Sequence, residues 1–114
     1  MVRLDNIQVH NIFSFIEKES KEEIFENILK KKDIIIQRII STGQKSPENF
    51  WYNQDQDEWV LLLSGSATLK FKDKNYIKIF ELNPGDYLLI PAHCEHRVER
   101  TADTEDTVWL AIFF

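Results

Sequence analysis

The strongest constraint on the fold is a series of short apolar segments in the second half of the chain, each bounded by turn-forming residues. The segments are residues 58–63, 67–71, 76–80, 87–90, 97–100 and 107–114. Gly, Pro, Asn, Asp and Ser dominate the intervals between them, and these residues supply the backbone conformations that β-turns require. Short strands at such even spacing are typical of a sandwich or barrel. We therefore predict an all-β fold.

Two further segments precede this series. Residues 33–40 are rich in isoleucine, which favours a strand buried on both faces. Residues 20–23 have the form of a capping box, in which Ser20 caps a helix and Glu23 reaches back to it. The apolar residues that follow recur at helical spacing; they are Ile24, Phe25, Ile28 and Leu29. We therefore predict a short surface helix with one buried stripe before the first strand.

Length and composition favour one domain. A chain of 114 residues can bury one core but is short for two. With 43% hydrophobic residues, 3 glycines and 3 prolines, the chain offers no low-complexity linker that would mark a boundary. We predict a single domain at residues 1–114, with an N-terminal extension at 1–33 and a barrel at 34–114.

Charge and cysteine content restrict the partners and the compartment. The net charge of -5 argues against nucleic acid, because binding a phosphate backbone calls for a clustered basic face. The only basic run, Lys30–Lys32, suits the last turn of the predicted helix. The N-terminus lacks the apolar core of a signal peptide, and no apolar run approaches the length of a bilayer span. Cys94 is the single cysteine and cannot form an internal disulfide. We predict a cytoplasmic protein without a membrane partner.

The strand that begins at Glu58 predicts an apolar outer surface. Because side chains alternate along a strand, Trp59, Leu61 and Leu63 should share the face opposite Glu58. A solvated face would not usually present three such residues together. This face should therefore pack against the second sheet, the N-terminal helix or a partner subunit, and from it we predict a homodimer.

Two polar stretches lie at the edges of the predicted strands, and they carry a family resemblance. The first has Gly43, then Tyr52 and Gln54, then Glu58, and Gly65 after six intervening residues. The second contains Gly85, Pro91, His93, His96 and Arg100. Over roughly residues 34–113 the chain resembles the small single-domain cupins. Their first motif has His-x-His where this chain has Tyr52 and Gln54, and their second has Gly and Asn where it has His93 and Arg100.

The resemblance implies a double-stranded β-helix (jelly-roll) barrel with a site in its mouth, often holding Fe, Mn, Zn or Ni on three histidines and one glutamate. This chain keeps Glu58 and His96 of that set. Protonated Tyr52 is a poor ligand and Gln54 offers only a neutral amide oxygen. With His93 as compensation, Gln54, Glu58, His93 and His96 would form a site suited to Fe(II), Mn(II) or Zn(II). No organic cofactor is expected.

Several of these residues admit two interpretations. His93 is either a ligand or a loop imidazole bonded to backbone or water, and Cys94 is either a thiolate ligand or a small buried apolar residue. Arg38, within the isoleucine-rich strand, must find a partner, since burying it unpaired would be costly. It either pairs with Glu58 or a surface acid, or anchors a substrate together with Tyr52 in a ligand pocket.

Three functions follow from these observations. The first is a divalent-metal cupin that binds a small polar or anionic molecule, either as an enzyme of unassigned reaction or as a binding protein. The second is a metal-free module that hydrogen-bonds a small ligand in the barrel mouth. The third is an accessory protein that binds a protein partner and retains a vestigial site.

Overall fold

The chain is built almost entirely of β-strands. The computed structural model describes residues 4–16 and 20–114, which form a 3-10 helix at Leu4–Asn6 and eight strands. The strands are β1 (Ile24–Lys31), β2 (Ile34–Ser41), β3 (Glu58–Ser64), β4 (Ala67–Lys72), β5 (Ile77–Leu82), β6 (Tyr87–Ile90), β7 (Glu95–Thr101) and β8 (Thr107–Phe113). No helix within the described residues is long and apolar enough to span a membrane.

The strands form two antiparallel sheets that enclose one core. The first has five strands in the order β1-β2-β8-β3-β6, and the second has three in the order β5-β4-β7. Both sheets contribute to the core, whose buried members are Ile39, Val60, Leu62, Ala67, Leu69, Leu82, Ile90, Trp109 and Ala111. The predicted all-β, jelly-roll barrel is therefore confirmed.

The predicted N-terminal helix is wrong, because residues 24–31 form strand β1. This strand pairs antiparallel with β2 from Ile24 opposite Ile40 to Lys31 opposite Ile34. A bulge leaves Ile28 without a partner and breaks the alternation, which produces a spacing that resembles a helix. The edge of β2 supplies backbone hydrogen bonds along the whole segment, and this non-local pairing outweighs the local capping signal.

The residues of the predicted capping box make a turn instead. The hydroxyl of Ser20 donates to the carbonyl of Glu22 at 2.7 Å and accepts from the Glu22 amide at 3.3 Å. Lys30–Lys32 lie at the hairpin between β1 and β2 rather than at a helix end. The predicted boundary after residue 33 therefore falls inside a hairpin, and the first strand of the sheet belongs to the proposed extension.

The outer face of the five-stranded sheet is apolar, as the alternation in β3 predicted. The register of β3 with β6 and β8 places these side chains on it: Trp59, Leu61, Tyr87, Leu89, Leu110 and Ile112. Tyr87 and Leu89 are 66% and 53% exposed, and the Tyr87 ring lies 5.5 Å from the Trp59 ring. Whether a second copy covers this face stays a prediction.

We expect Trp59→Lys to weaken a homodimer, because it places a charge in the middle of this outer face. Sedimentation of the parent at micromolar concentration should give a dimeric mass, and the variant should shift toward monomer. Ile79→Lys, an exposed site on β5 of the other sheet, serves as the control and should remain dimeric. A monomeric parent protein would contradict the expectation.

Gly65, in the turn between β3 and β4, cannot carry a side chain without disturbing β8. Its φ is +84°, and an added Cβ would lie 2.6 Å from Thr107 Cα and 2.7 Å from the Asp106 carbonyl oxygen. Gly85 has a similar φ of +95° but no neighbouring atom within 4 Å of such a Cβ. The two positions therefore separate steric clash from backbone strain.

We expect Gly65→Ala to lower the free energy of unfolding by about 3 kcal/mol, the sum of backbone strain and overpacking. Gly85→Ala should cost only the strain, about 1 kcal/mol. Urea denaturation of both variants measures the difference. Equal losses of unfolding free energy in the two variants would show that β8 shifts to accommodate the added methyl group at no energetic cost.

Candidate functional site

A pocket opens between the two sheets, and its walls are mainly apolar. The apolar lining consists of Phe25, Ile39, Val60, Leu69, Ile90, Val98, Trp109 and Phe113. Five polar side chains join them: Glu23, Tyr52, Gln54, Glu58 and His96. A predominantly apolar cavity with a few convergent polar groups is the usual form of a small-molecule site.

Backbone pairing brings Tyr52 and Gln54 to His96. The Tyr52 amide donates to the His96 carbonyl at 2.7 Å, and the His96 amide donates to the Tyr52 carbonyl at 3.1 Å. The amide of His93 donates to the Gln54 carbonyl at 2.7 Å. The segment before β3 therefore runs antiparallel beside the start of β7, which places both side chains at the pocket.

Glu58 and His96 lie close together at the polar end of the pocket. Glu58 begins β3 between Ile90 of β6 and Phe113 of β8, and its Oε1 is 3.8 Å from His96 Nε2. Gln54 Nε2 donates to the same carboxylate oxygen at 3.2 Å. The side chains of His96 and Glu58 are only 6% and 9% exposed. Both residues therefore line one cavity, and their role as ligands stays a prediction.

The imidazole of His96 is fixed in orientation and tautomer. Its Nδ1 lies 2.8 Å from the Cys94 carbonyl oxygen, which can only accept, so Nδ1 carries the hydrogen. The ring stacks between Tyr52 and Phe71, with centroid distances of 5.5 and 5.8 Å. The lone pair of Nε2 consequently faces the pocket, and it makes no hydrogen bond to any described residue.

Burial favours the uncharged forms of the polar groups. Burial raises the pKa of Glu58, and the hydrogen bond from Gln54 partly opposes this rise. Burial lowers the pKa of His96, and the hydrogen bond to the Cys94 carbonyl partly opposes this fall. The pKa of Tyr52 is raised by burial and then by the negative charges of Glu23 and Glu58. The phenol of Tyr52 therefore interacts electrostatically with both carboxyl groups.

Glu23 is the pocket residue that the sequence analysis missed. It immediately precedes β1, and the hydroxyl of Ser41 donates to its Oε2 at 2.7 Å. Ser41 is held in turn by the indole of Trp109, which donates to its oxygen at 3.1 Å. Burial raises the pKa of Glu23, and the Ser41 hydrogen bond opposes this. Only the register of β1 with β2 reveals Glu23, since the capping pattern assigned it to a helix terminus.

Arg38 lies outside the pocket, on the outer side of β2. Its Nη2 is 2.7 Å from Glu26 Oε1, and its Nη1 donates to the carbonyls of Ile12 at 3.0 Å and Ser14 at 2.5 Å. Its neighbour Ile39 takes the inward position, so alternation turns Arg38 away. Of the two interpretations, the salt bridge to a surface acid is the one observed.

His93 is also not brought to the pocket. Its φ is +63°, the left-handed conformation for which the cupin motif has Gly at this position. Its Nδ1 lies 2.9 Å from Asn53 Oδ1, and its side chain is 65% exposed. Left-handed backbone at the turn directs the imidazole toward Asn53, so His93 is a loop imidazole in this structure.

Cys94 contributes through its backbone and its packing. Its side chain packs against the core, and burial, followed by the charges of Asp73 and Glu95, raises the pKa of its thiol. The thiolate form is therefore disfavoured. Its carbonyl, which orients His96, is the atom that matters to the site.

The donor set does not fit a metal centre of three histidines and one glutamate. Glu58 and His96 are the only ordinary ligands at the four motif positions, since Tyr52 and Gln54 fill the other two with neutral groups. Among the described residues there is no group of three or more His, Cys, Asp or Glu side chains that could hold a metal ion.

Comparison with known proteins agrees with the fold. A family model described as "Cupin domain" matches residues 38–113. A putative mannose-6-phosphate isomerase from Ralstonia eutropha JMP134 is 43% identical, with a TM-score of 0.85, covering 94% of this chain and 97% of that chain.

Two more distant structures show the fold alone. A cupin superfamily protein from Desulfitobacterium hafniense DCB-2 is 21% identical over 87% of this chain and 83% of that chain, with a TM-score of 0.70. Hydroxypropylphosphonic acid epoxidase from S. wedmorenis is 16% identical over 96% of this chain and 60% of that chain, with a TM-score of 0.70. Taken together with the family match, these findings show that the chain belongs to the cupin domain family.

Proposed function

We propose that this protein binds a small organic molecule in its barrel mouth without a metal ion. The observation that carries the proposal is His96, whose side chain is 6% exposed and whose Nε2 faces a mainly apolar pocket without a hydrogen bond to any described residue. The few polar groups of such a pocket usually orient a ligand, and a ligand would supply the missing partner of Nε2.

The separation of Glu58 and His96 suits a shared ligand atom. Two acceptors 3.8 Å apart can both lie about 2.9 Å from one donor atom placed between them, a normal hydrogen-bond distance. The apolar walls would then enclose the body of the ligand. The geometry therefore supports a molecule with a polar end and an apolar body.

An anionic ligand, one of the sequence-based expectations, is not supported by the pocket. Two carboxyl groups line it, and no described Lys or Arg does. The relative from Ralstonia eutropha is named for a sugar phosphate, but a phosphate group favours cationic donors, and no described Lys or Arg lines these walls. We do not carry that substrate over to this chain.

Ring-shaped fragments test the proposal directly. Benzamide, benzamidine, benzoate and benzyl alcohol share an apolar ring and differ in the polar end. We expect at least one fragment to bind saturably at millimolar concentration in the presence of EDTA. Changes in the backbone amide shifts of Tyr52 and His96 in nuclear magnetic resonance spectra measure this binding. His96→Ala should lower the affinity for this fragment roughly 5- to 10-fold, because one hydrogen bond is lost.

His93→Ala is the matched control, because His93 lies three residues away but outside the pocket. It should leave the affinity unchanged. The proposal fails if no fragment binds, if EDTA abolishes binding, or if elemental analysis finds stoichiometric metal that a Glu58→Ala, His96→Ala double variant loses.

Buried Glu58 also predicts a pH-dependent stability. The pKa of Glu58 in the folded state is raised above 4.5. Its contribution to the free energy of unfolding is therefore complete below pH 4.5 and is lost as the pH rises through the folded-state pKa. Glu58→Gln removes this loss, because an amide does not titrate, and its side-chain oxygen can still accept the hydrogen bond from Gln54. The stability of Glu58→Gln relative to the parent should therefore increase from pH 4 toward pH 8.

Urea denaturation across that range measures the difference in free energy of unfolding. Exposed Glu48→Gln is the control for the loss of one negative charge. A difference between Glu58→Gln and the parent that is constant with pH would contradict the assignment. His96, with its lowered pKa, acts in the opposite direction below pH 6.5.

A further inference from the structure

We infer that the ligand is a small organic cation with N–H donors, such as an amine or amidine on an apolar body, bound between Glu23 and Glu58. This inference rests on the proposed function, because it names the class of ligand for the same pocket. The cavity, its two carboxyl groups and the free nitrogen of His96 carry it.

The two carboxyl groups reach the pocket from different parts of the fold. Glu58 starts β3 and is held by Gln54, while Glu23 precedes β1 and is held by Ser41. Both act on the phenol of Tyr52, whose pKa their negative charges raise. Each receives one hydrogen bond from these side chains, so each retains lone pairs for a ligand.

No described Lys or Arg side chain lines the pocket to compensate these carboxyl groups. Arg38 is bonded to Glu26 on the outer side of the sheet. Arg97 has its Nε 2.7 Å from Glu99 Oε1 and donates to loop carbonyls, including that of Ser46 at 3.1 Å. Desolvated carboxylates without a partner are costly, and a cationic ligand would remove that cost.

His96 provides an independent pointer to a donor-bearing ligand. Its side chain is 6% exposed, and the unpaired Nε2 can only accept, because Nδ1 holds the hydrogen. Acceptors on Glu23, Glu58 and His96 thus surround one cavity, and an amine or amidine carries several N–H donors. The aromatic face of Tyr52 adds a favourable surface for a cation.

The spacing favours an organic cation over a metal ion. Glu23, Glu58 and His96 are all described, yet no set of three such side chains lies close enough together to hold one ion. An amidinium spreads its donors over several atoms and can reach acceptors that a single ion cannot.

Three isosteric probes isolate charge from shape. Benzamidine is cationic, benzamide neutral and benzoate anionic, and the three share size and geometry. At pH 7 in EDTA, calorimetric titration should show benzamidine binding at least tenfold more tightly than benzamide, with benzoate weakest. Glu23→Gln should reduce the preference for benzamidine over benzamide at least fivefold.

Binding of benzamide by Glu23→Gln serves as the check that the variant is folded. Glu22→Gln, an exposed neighbour, removes the same charge and should keep the full preference. The inference is overturned if benzamide binds as tightly as benzamidine, or if the two variants behave alike, while the proposed function survives either result. Failure of all three probes and of benzyl alcohol would instead overturn the proposed function and the inference together.

Discussion

The site depends on a two-way backbone contact between Tyr52 and His96. Their amides and carbonyls exchange hydrogen bonds of 2.7 and 3.1 Å, which ties the long loop before β3 to the start of β7. Because β7 also pairs with β4, His96 is fixed between the rings of Tyr52 and Phe71. Without this contact, Tyr52 would have no defined position relative to the pocket.

The apolar interior gives these few polar groups their character. Burial disfavours charge on Glu58, Glu23 and His96, and the pocket contains no described Lys or Arg side chain to offset it. The protein thereby retains polar groups at a cost in stability, as binding sites commonly do. Neutral groups at the Tyr52 and Gln54 positions are consistent with a cupin that recognises its ligand by hydrogen bonds and charge.

Much of the barrel could be predicted from the sequence, because alternation and turn residues are local signals. Strand β3 starts at Glu58 and β6 spans Tyr87–Ile90, as the pattern indicated. The pairing of Glu58 with His96 followed from the family motif. The prediction of a helix was wrong because a bulge at Ile28 gives the strand a helical spacing of apolar residues. A bulge depends on the partner strand and so cannot be recognised from a local pattern.

The amino-acid sequence alone determined the strand-rich architecture, the apolar outer face and the two motif residues at the polar end of the pocket. Only the tertiary structure decided which remaining polar residues join them. Arg38 is turned to Glu26, and His93 is turned outward by its left-handed backbone. Glu23 is carried inward beside Ser41, 18 positions along the chain. Such contacts are set by strand register and turn geometry, which local patterns do not encode.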